Sequence, residues 1–245
     1  MVRMLPLLVF TAALSACGGD SVEPGPIDTT STADSLAVNL KHRVGDTPLE
    51  LDSVEYVNAA GNHYTVSRLE YYVSGFIFKS ADGHSHAATG AFYVSAADPA
   101  AGEIELGSVP PGDYTSLTLL VGLDSKTNIT GGLTNTKENI DMAWPDHMGG
   151  GYHFLKLEGH YKDPSMMDTG YAMHLGGNES LVTVTIEKAF TIAAESPSLA
   201  LAMDLNEWFD HPNVFNFDTD GNYTMHDDVA KQKLKENGAD VFTME

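Results

Sequence analysis

The sequence is short of basic residues and of cysteine. Its 245 residues include 13 Lys and Arg against 34 Asp and Glu, which gives a formal net charge of −21. A nucleic-acid backbone is bound through clustered Lys and Arg that release counterions, so this charge argues against a nucleic-acid partner. A single Cys excludes a disulfide framework and any cysteine-rich zinc or iron–sulfur site. The sequence therefore describes an acidic protein that attracts cations.

Long apolar runs are also scarce, and the most prominent run stands at the N-terminus. Arg3 precedes the apolar residues 5–14, and Ser15 and Ala16 lead up to Cys17. This order is typical of a secretory signal. Residues 14–17 also resemble the lipobox of bacterial lipoproteins, in which cleavage before the Cys frees its thiol for a lipid. We expect residues 1–16 to be the signal peptide and Cys17 the lipidation site. The alternative is an ordinary secretory signal in which Cys17 has no special role.

The residues after Cys17 are polar. Residues 18–36 consist mainly of Gly, Pro, Ser, Thr and acids, the composition of a flexible tether. We therefore expect a tether over residues 17–36 and a folded domain over residues 37–245, held at a membrane by its lipid anchor. In lipoproteins, Gly18 in place of Asp after the lipidated Cys implies the outer membrane, facing the periplasm or the cell surface.

The domain itself has the pattern of an all-β protein. Short segments rich in β-branched and aromatic residues alternate with turns of Gly, Asn, Asp and Pro, without a βαβ rhythm. This pattern predicts an antiparallel β-sandwich formed by a single domain. Only residues 229–237 look helical, because two acids precede them, lysines gather toward their end and Gly238 follows.

Histidine and methionine are the residue types that indicate metal binding. The sequence has ten of each and no Cys to spare, so imidazole and thioether are the soft and borderline metal ligands that remain. This combination suits copper better than calcium or magnesium. Single His and Met residues commonly serve in packing or lie on the surface, so clustering is the more informative signal.

The densest cluster spans residues 142–160. It brings Trp144, His147 and Met148 to three consecutive glycines, which are followed by His153 at the start of an apolar strand. Glycines permit sharp turns and close backbone approach. The two-residue period of a strand predicts His153 on the face of Leu155, buried. It is then either a core histidine bonded to backbone or a ligand at the entrance of the strand.

Two further clusters follow. In the first, Met173 and His174 occupy opposite faces of a short strand that ends in paired glycines. The second contains His226 after a run of oxygen ligands, Asp218, Asp220 and Asn222. That run resembles part of a calcium loop, but its glycine falls at the fourth position instead of the sixth, which excludes an EF-hand. We keep a Ca²⁺ site there as a weaker hypothesis beside a solvated acidic turn.

Hydrolytic motifs are missing. The sequence contains no Gly-x-Ser-x-Gly and no His-Glu-x-x-His, the motifs that mark common nucleophilic and zinc hydrolases. A pair of glycosidase carboxylates leaves no sequence signature among 34 acids. We expect a protein that is not an enzyme.

Several segments taken together resemble the MbnP-like proteins, extracytoplasmic copper-binding proteins associated with methanobactin operons. The resemblance covers roughly residues 38–245. The segments that carry it are Leu69–Phe78 with Asp82-Gly83, Val109–Thr115 with Val121–Asp124, Met142–Trp144 with Gly151–Gly159, His174–Gly177 and Asp204–Asp210.

The resemblance implies one copper ion bound through histidines beside a tryptophan, which in characterised members a di-haem partner oxidises to kynurenine. Trp144 matches the family's Met-x-Trp position and His174 its His-Leu-Gly position. Many relatives carry a second Trp two positions later, where this chain has Asp146, and this chain inserts His147, Met148 and a glycine. His147 and Met148 are therefore further candidates for ligation.

Two hypotheses remain. The first is a lipid-anchored copper-binding protein for acquisition, storage or handover of the metal, with a di-haem cytochrome as a candidate partner. The second is a surface lipoprotein that binds a protein or a glycan and no metal. In this hypothesis the His and Met residues only contribute to the packing of the core. The candidate ligands of the first hypothesis are His174, His147, His153, Trp144, Met148 and His226.

Overall fold

The computed structural model describes residues 34–245. The predicted signal peptide, Cys17 and nearly all of the predicted tether lie outside these residues. The first strand begins at Ser35, two residues before the expected start of the domain, and Leu36 is already fully buried.

Thirteen strands and two short α-helices make up the described chain. The strands are β1 (Ser35–Val44), β2 (Thr47–Pro48), β3 (Tyr56–Val57), β4 (His63–Ser80), β5 (Ser85–Ser95), β6 (Glu103–Ser108), β7 (Gly112–Val121), β8 (His153–Lys162), β9 (Asp168–Gly176), β10 (Val182–Ile186), β11 (Phe190–Ile192), β12 (Ser198–Asp204) and β13 (Phe242–Met244). The helices are α1 (Lys137–Asp141) and α2 (Asp228–Asn237).

The strands form two sheets. The smaller sheet has the order β13-β12-β1-β2, and β6 also pairs with β1. The larger sheet has the order β10-β7-β4-β8-β9, and β3, β5 and β11 pair with its inner strands. All of these pairs are antiparallel except β1 with β12, which is parallel. The predicted sandwich is thus confirmed, with one parallel pair that the sequence pattern did not indicate.

The core lies where the inner faces of the two sheets meet. Tyr71 on β4 is fully buried, and its hydroxyl lies 2.9 Å from Nε2 of His42 on β1 in the opposite sheet. The Tyr71 ring also lies 6.2 Å from that of Phe242 on β13. Burial of large aromatic side chains is the main source of stability in such a core.

The predicted C-terminal helix is confirmed, and its ends follow from its sequence. The Asp227 carboxylate accepts hydrogen bonds from the backbone N–H groups of Val229 and Ala230, as an N-cap residue does. The helix ends at Asn237, and Gly238 follows. Over residues 34–245 no helix combines the length and the apolar character that crossing a bilayer requires.

The outer face of the larger sheet is partly covered by residues 134–152, which we call the covering segment. Because side chains alternate along a strand, Tyr72 points away from the core that Tyr71 enters. Its hydroxyl donates to Oδ1 of Asn139 in the covering segment, at 2.6 Å. The ammonium of Lys156 on β8 donates to the backbone carbonyl of Asp141 in the same segment. The covering segment is therefore tied to the sheet at two points.

Candidate metal centre

Three of the residues predicted from sequence come together between the covering segment and strands β8 and β9. The rings of Trp144 and His153 meet edge to face, with centroids 4.7 Å apart. The rings of His153 and His174 are perpendicular, with centroids 5.1 Å apart. His153 and Trp144 are buried, and the His174 side chain is 13% exposed. These three side chains form the candidate metal centre.

A β-bulge brings His153 to this face. His153 pairs with Gly176 of β9, whereas Leu155 pairs with Leu175, so β8 has one extra residue at this point. The regular two-residue period predicted His153 on the face of Leu155, and that prediction of the face is wrong. Because Gly176 and His174 are two residues apart, the bulge places His153 on the face that carries His174.

Gly176 makes room for the indole of Trp144. A Cβ atom at position 176 would lie 2.3 Å from the six-membered ring of Trp144, closer than side chains pack. The indole N–H donates to the backbone carbonyl of Met148, at 3.1 Å. Met148 therefore contributes its backbone oxygen to the orientation of Trp144.

The backbone of Met142 fixes the protonation of His153. The Met142 carbonyl accepts a hydrogen bond from the His153 backbone N–H at 2.6 Å, and it lies 3.1 Å from Nδ1 of the same residue. A carbonyl only accepts, so Nδ1 carries the hydrogen and the lone pair of the neutral ring is on Nε2. Burial, reinforced by the charge of Lys156, lowers the pKa of His153 to about 3. The imidazole is therefore neutral at physiological pH, the form that binds metals.

His174 has the complementary arrangement. Its Nε2 lies 2.8 Å from Oε1 of Glu158, and a carboxylate only accepts, so in the neutral ring the N–H is on Nε2 and the lone pair is on Nδ1. Within residues 34–245, Nδ1 is buried and has no hydrogen-bond partner. A buried polar atom without a partner costs about 1–3 kcal/mol. The hydrogen bond from His174 is the main cause that lowers the pKa of Glu158.

Thr224 holds the backbone of His174. The Thr224 hydroxyl accepts from the His174 backbone N–H at 2.7 Å and donates to the carbonyl of the same residue at 2.8 Å. Thr224 is fully buried. One side chain thus satisfies both backbone groups of His174 on the side of β9 away from β8.

Two other predicted ligands, His147 and His226, lie in exposed turns. His147 lies in the 3₁₀ turn Asp146–Met148, and its side chain is exposed. His226 is exposed just before α2. Among the described residues, no hydrogen bond or ring contact connects either of them with His153 or His174.

Two of the three predicted calcium ligands, Asp218 and Asp220, are engaged by protein donors, and the Asn222 side-chain amide itself donates to the Gly170 carbonyl at 2.8 Å. Oδ1 of Asp220 accepts from the Lys233 ammonium at 2.6 Å, and its Oδ2 accepts from the Asn216 backbone at 2.9 Å. Oδ2 of Asp218 accepts from the Asn62 amide at 3.2 Å. An ammonium group against Asp220 already supplies positive charge there, so the structure adds no support to the Ca²⁺ hypothesis.

A different group of metal-ligating side chains lies on the surface. Nδ1 of His211 is 3.1 Å from Asp210 and 3.5 Å from Glu207, and their ligand atoms all lie within 4.8 Å of one another. The His211 side chain is 68% exposed. This geometry is that of a solvated surface contact, in which the imidazole already lies against two carboxylates.

Sequence analysis missed three residues that shape the centre: Glu158, Lys156 and Thr224. The strand period places Lys156 and Glu158 on one face of β8, but nothing in the sequence pairs that face with His174. The pairing of Lys156 with His174 and the contact of Thr224 with β9 are set by tertiary structure.

Similarity to a known family extends over most of the chain. Residues 33–227 match the family model described as MbnP. Among solved structures, the chain is similar to MbnP from Methylosinus trichosporium, with a TM-score of 0.49 and 15% sequence identity, over 71% of this chain and 77% of that chain. A search of the curated proteins finds no match.

Proposed function

This chain belongs to the MbnP family, and from that premise we propose that it binds a copper ion through His153 and His174 beside Trp144. The unpartnered Nδ1 of His174 is the observation that carries this proposal. The lone pair on this nitrogen is buried, and Nε2 of the neighbouring His153 ring offers a second lone pair. A metal ion bound between these nitrogens would satisfy both.

The hydrogen bonds around the two rings support a metal site. Histidine ligands commonly donate their second ring N–H to a carboxylate or a backbone carbonyl, which fixes the tautomer and the orientation of the ring. His153 uses the Met142 carbonyl and His174 uses the Glu158 carboxylate. Both types of acceptor that this pattern predicts are therefore present.

The donor set favours copper over its main competitors. Imidazole nitrogens suit copper, zinc, iron and nickel, whereas calcium and magnesium take oxygen ligands. Zinc in structural sites takes four ligands, but this centre offers two imidazoles, and the Glu158 carboxylate is already engaged by His174 and Arg68. Among divalent first-row ions, a nitrogen site binds copper most tightly.

In this proposal the protein binds, positions and shields the ion. The two imidazoles supply nitrogen donors, and His153 need not lose a proton to bind, since it is neutral far below physiological pH. The covering segment and the Trp144 ring limit access of water to the centre. The overall charge of −21 raises the local concentration of cations. These properties suit acquisition, storage or handover of copper.

The location and partner of the protein are part of the same proposal. A lipid on Cys17 would anchor the domain at the outer membrane, and a di-haem partner would act on Trp144. Metabolic labelling with a radioactive fatty acid tests the anchor, because Cys17→Ser removes the label if the thiol is the acceptor. Peptide mass spectrometry tests the oxidation, because kynurenine adds about four mass units to the peptide with Trp144.

Copper titration with a competing chelator tests the metal site. We expect the purified protein to bind one equivalent of copper. Loss of a residue that only hydrogen-bonds a metal ligand, an outer-shell partner, costs about 10–100-fold in affinity. His153→Ala and His174→Ala remove a ligand itself, so each should weaken copper binding by more than this. His147→Ala and His226→Ala serve as matched controls, since both remove an exposed imidazole, and each should bind like the unaltered protein.

Two outcomes would contradict the proposal. Binding that survives His174→Ala unchanged would place the copper elsewhere. Absence of binding, with a melting temperature that neither copper nor a chelator changes, would favour the metal-free interaction module, since a ligand of the native state must raise stability.

A further inference from the structure

We propose that Glu158, held in place by Arg68, is a positioning residue that fixes His174 in the tautomer whose Nδ1 faces the copper ion. This inference deepens the proposed function and rests on it for the role of copper. It concerns a carboxylate that does not itself bind the metal. Its first consequence, a single tautomer of His174, holds before any metal binds.

The carboxylate lies between a fixed cation and the imidazole. Oε1 of Glu158 accepts from the Arg68 guanidinium at 3.2 Å and from Nε2 of His174 at 2.8 Å. Glu158 pairs with Arg68 of β4 on one side and with Ala172 of β9 on the other. The three side chains therefore bridge three neighbouring strands on the outer face of the sheet.

The register makes this geometry rigid. Lys156, two residues before Glu158 on β8, pairs with His174 on β9. Glu158 thus contacts His174 across a diagonal of the ladder, a distance that a long side chain spans. Thr224 holds the His174 backbone from the other side. The ring consequently has its backbone and one of its nitrogens fixed by separate groups.

The chemistry of the carboxylate selects one tautomer. A neutral imidazole has one N–H, and an ionised carboxylate can only accept a hydrogen bond. With the hydrogen on Nε2, Glu158 accepts a hydrogen bond from His174, and Nδ1 carries the lone pair. With the hydrogen on Nδ1, a lone pair would face the carboxylate and a buried N–H would have no acceptor. Both contacts are unfavourable, so the first tautomer dominates.

Arg68 keeps the carboxylate oriented. Its guanidinium donates to Oε1 of Glu158, the same oxygen that accepts from His174. Arg68 also lies 3.9 Å from Glu70, a second carboxylate, which has no hydrogen bond with His174 among the described residues. Glu70 therefore offers a matched control, since its removal deletes a nearby negative charge and leaves the contact with His174 intact.

NMR of metal-free protein labelled with ¹⁵N-histidine tests the tautomer directly. Long-range ¹H–¹⁵N correlations distinguish a protonated from an unprotonated ring nitrogen. We expect His174 to show Nε2 protonated and Nδ1 unprotonated in the unaltered protein and in Glu70→Ala. In Glu158→Ala we expect signals from both tautomers. Glu158→Gln should retain the native tautomer, because its amide oxygen still accepts.

Copper affinity provides the second measurement. We expect Glu158→Ala to lose about 10–100-fold in affinity, as expected for an outer-shell partner. Glu158→Gln should recover most of that loss, and Glu70→Ala should bind like the unaltered protein. A stabilising role alone would lower the melting temperature of Glu158→Ala without changing the tautomer or the affinity.

The results separate this inference from the proposed function. A protonated Nδ1 in the unaltered protein overturns the inference, and this measurement needs no variant to fold. Native tautomer and native affinity in Glu158→Ala also overturn it. If the tautomers behave as expected but the unaltered protein binds no copper, the proposed function fails, and Glu158 orients His174 without serving a copper site.

Discussion

The rings of His153 and His174 are perpendicular, with centroids 5.1 Å apart. Nδ1 of His153 and Nε2 of His174 each form a hydrogen bond with a different acceptor. The Met142 carbonyl holds His153 and the Glu158 carboxylate holds His174. Each hydrogen bond places an N–H on one nitrogen and leaves a lone pair on the other. Two largely buried imidazoles, each with one ring nitrogen left free, are therefore the basis of the candidate metal centre.

Emission from Trp144 should report copper binding. The chain has two tryptophans, and only Trp144 contacts the proposed ligands. Trp208 is fully buried, and its indole N–H lies 3.5 Å from the sulfur of Met203. Copper bound at His153 should quench the emission of Trp144 by contact. A fluorescence titration checks this: quenching should saturate at one equivalent and be lost in Trp144→Phe. Equal quenching in Trp144→Phe would show that copper lies elsewhere.

Gly176→Ala should destabilise the protein and displace Trp144. The added methyl would lie 2.3 Å from the indole ring, and overpacking of this kind costs about 1–3 kcal/mol in the free energy of unfolding. Urea denaturation measures this cost. Gly170→Ala is the matched control on the same strand, because its methyl would meet the hydroxyl of exposed Tyr223 at 3.1 Å and the Gly159 carbonyl oxygen at an ordinary 3.9 Å. If the two substitutions are equally tolerated, Trp144 does not pack on Gly176 as described.

Acid should destabilise the fold through His42. Burial between the sheets lowers the pKa of His42 to about 4, from 6.5. Between these two pH values the unfolded chain takes up a proton at His42 that the folded chain does not. The contribution of His42 to the free energy of unfolding is therefore fully present above about pH 6.5 and is lost as the pH decreases toward 4.

Urea denaturation at several pH values measures the contribution of His42. One group of this kind contributes a slope of up to about 1.4 kcal/mol per pH unit. His42→Gln should make the dependence of the unfolding free energy on pH shallower over this range. His63→Gln is the control, since it removes an exposed histidine whose ring faces Glu55. Equal pH dependence in His42→Gln and the unaltered protein would contradict the assignment.

Much of the fold could be predicted from the sequence because its signals are local. Turn residues and strand periodicity predicted the sandwich, and the acids before Val229 and the glycine after Asn237 predicted α2 nearly to the residue. The parallel pairing of β1 with β12 could not be predicted in this way, because it joins segments that lie far apart in the sequence.

The candidate site was predicted only in part, for a physical reason. His153 was proposed from residue type and clustering, and Trp144 and His174 were proposed with the help of the family resemblance; the structure brings the three together. The bulge at His153 interrupts a segment whose two-residue period looks regular, so its face could not be deduced from alternation. Closeness in sequence was equally misleading for His147, which lies near Trp144 along the chain but is exposed on its turn.

X-ray absorption at the copper edge tests directly whether His153 and His174 bind the copper ion. In a protein loaded with one equivalent of copper, the outer-shell scattering counts the imidazoles bound to the metal. We expect two imidazoles in the unaltered protein and in His147→Ala, and one imidazole in His153→Ala and in His174→Ala. A spectrum without imidazole scattering, or one that His174→Ala leaves unchanged, would contradict this expectation.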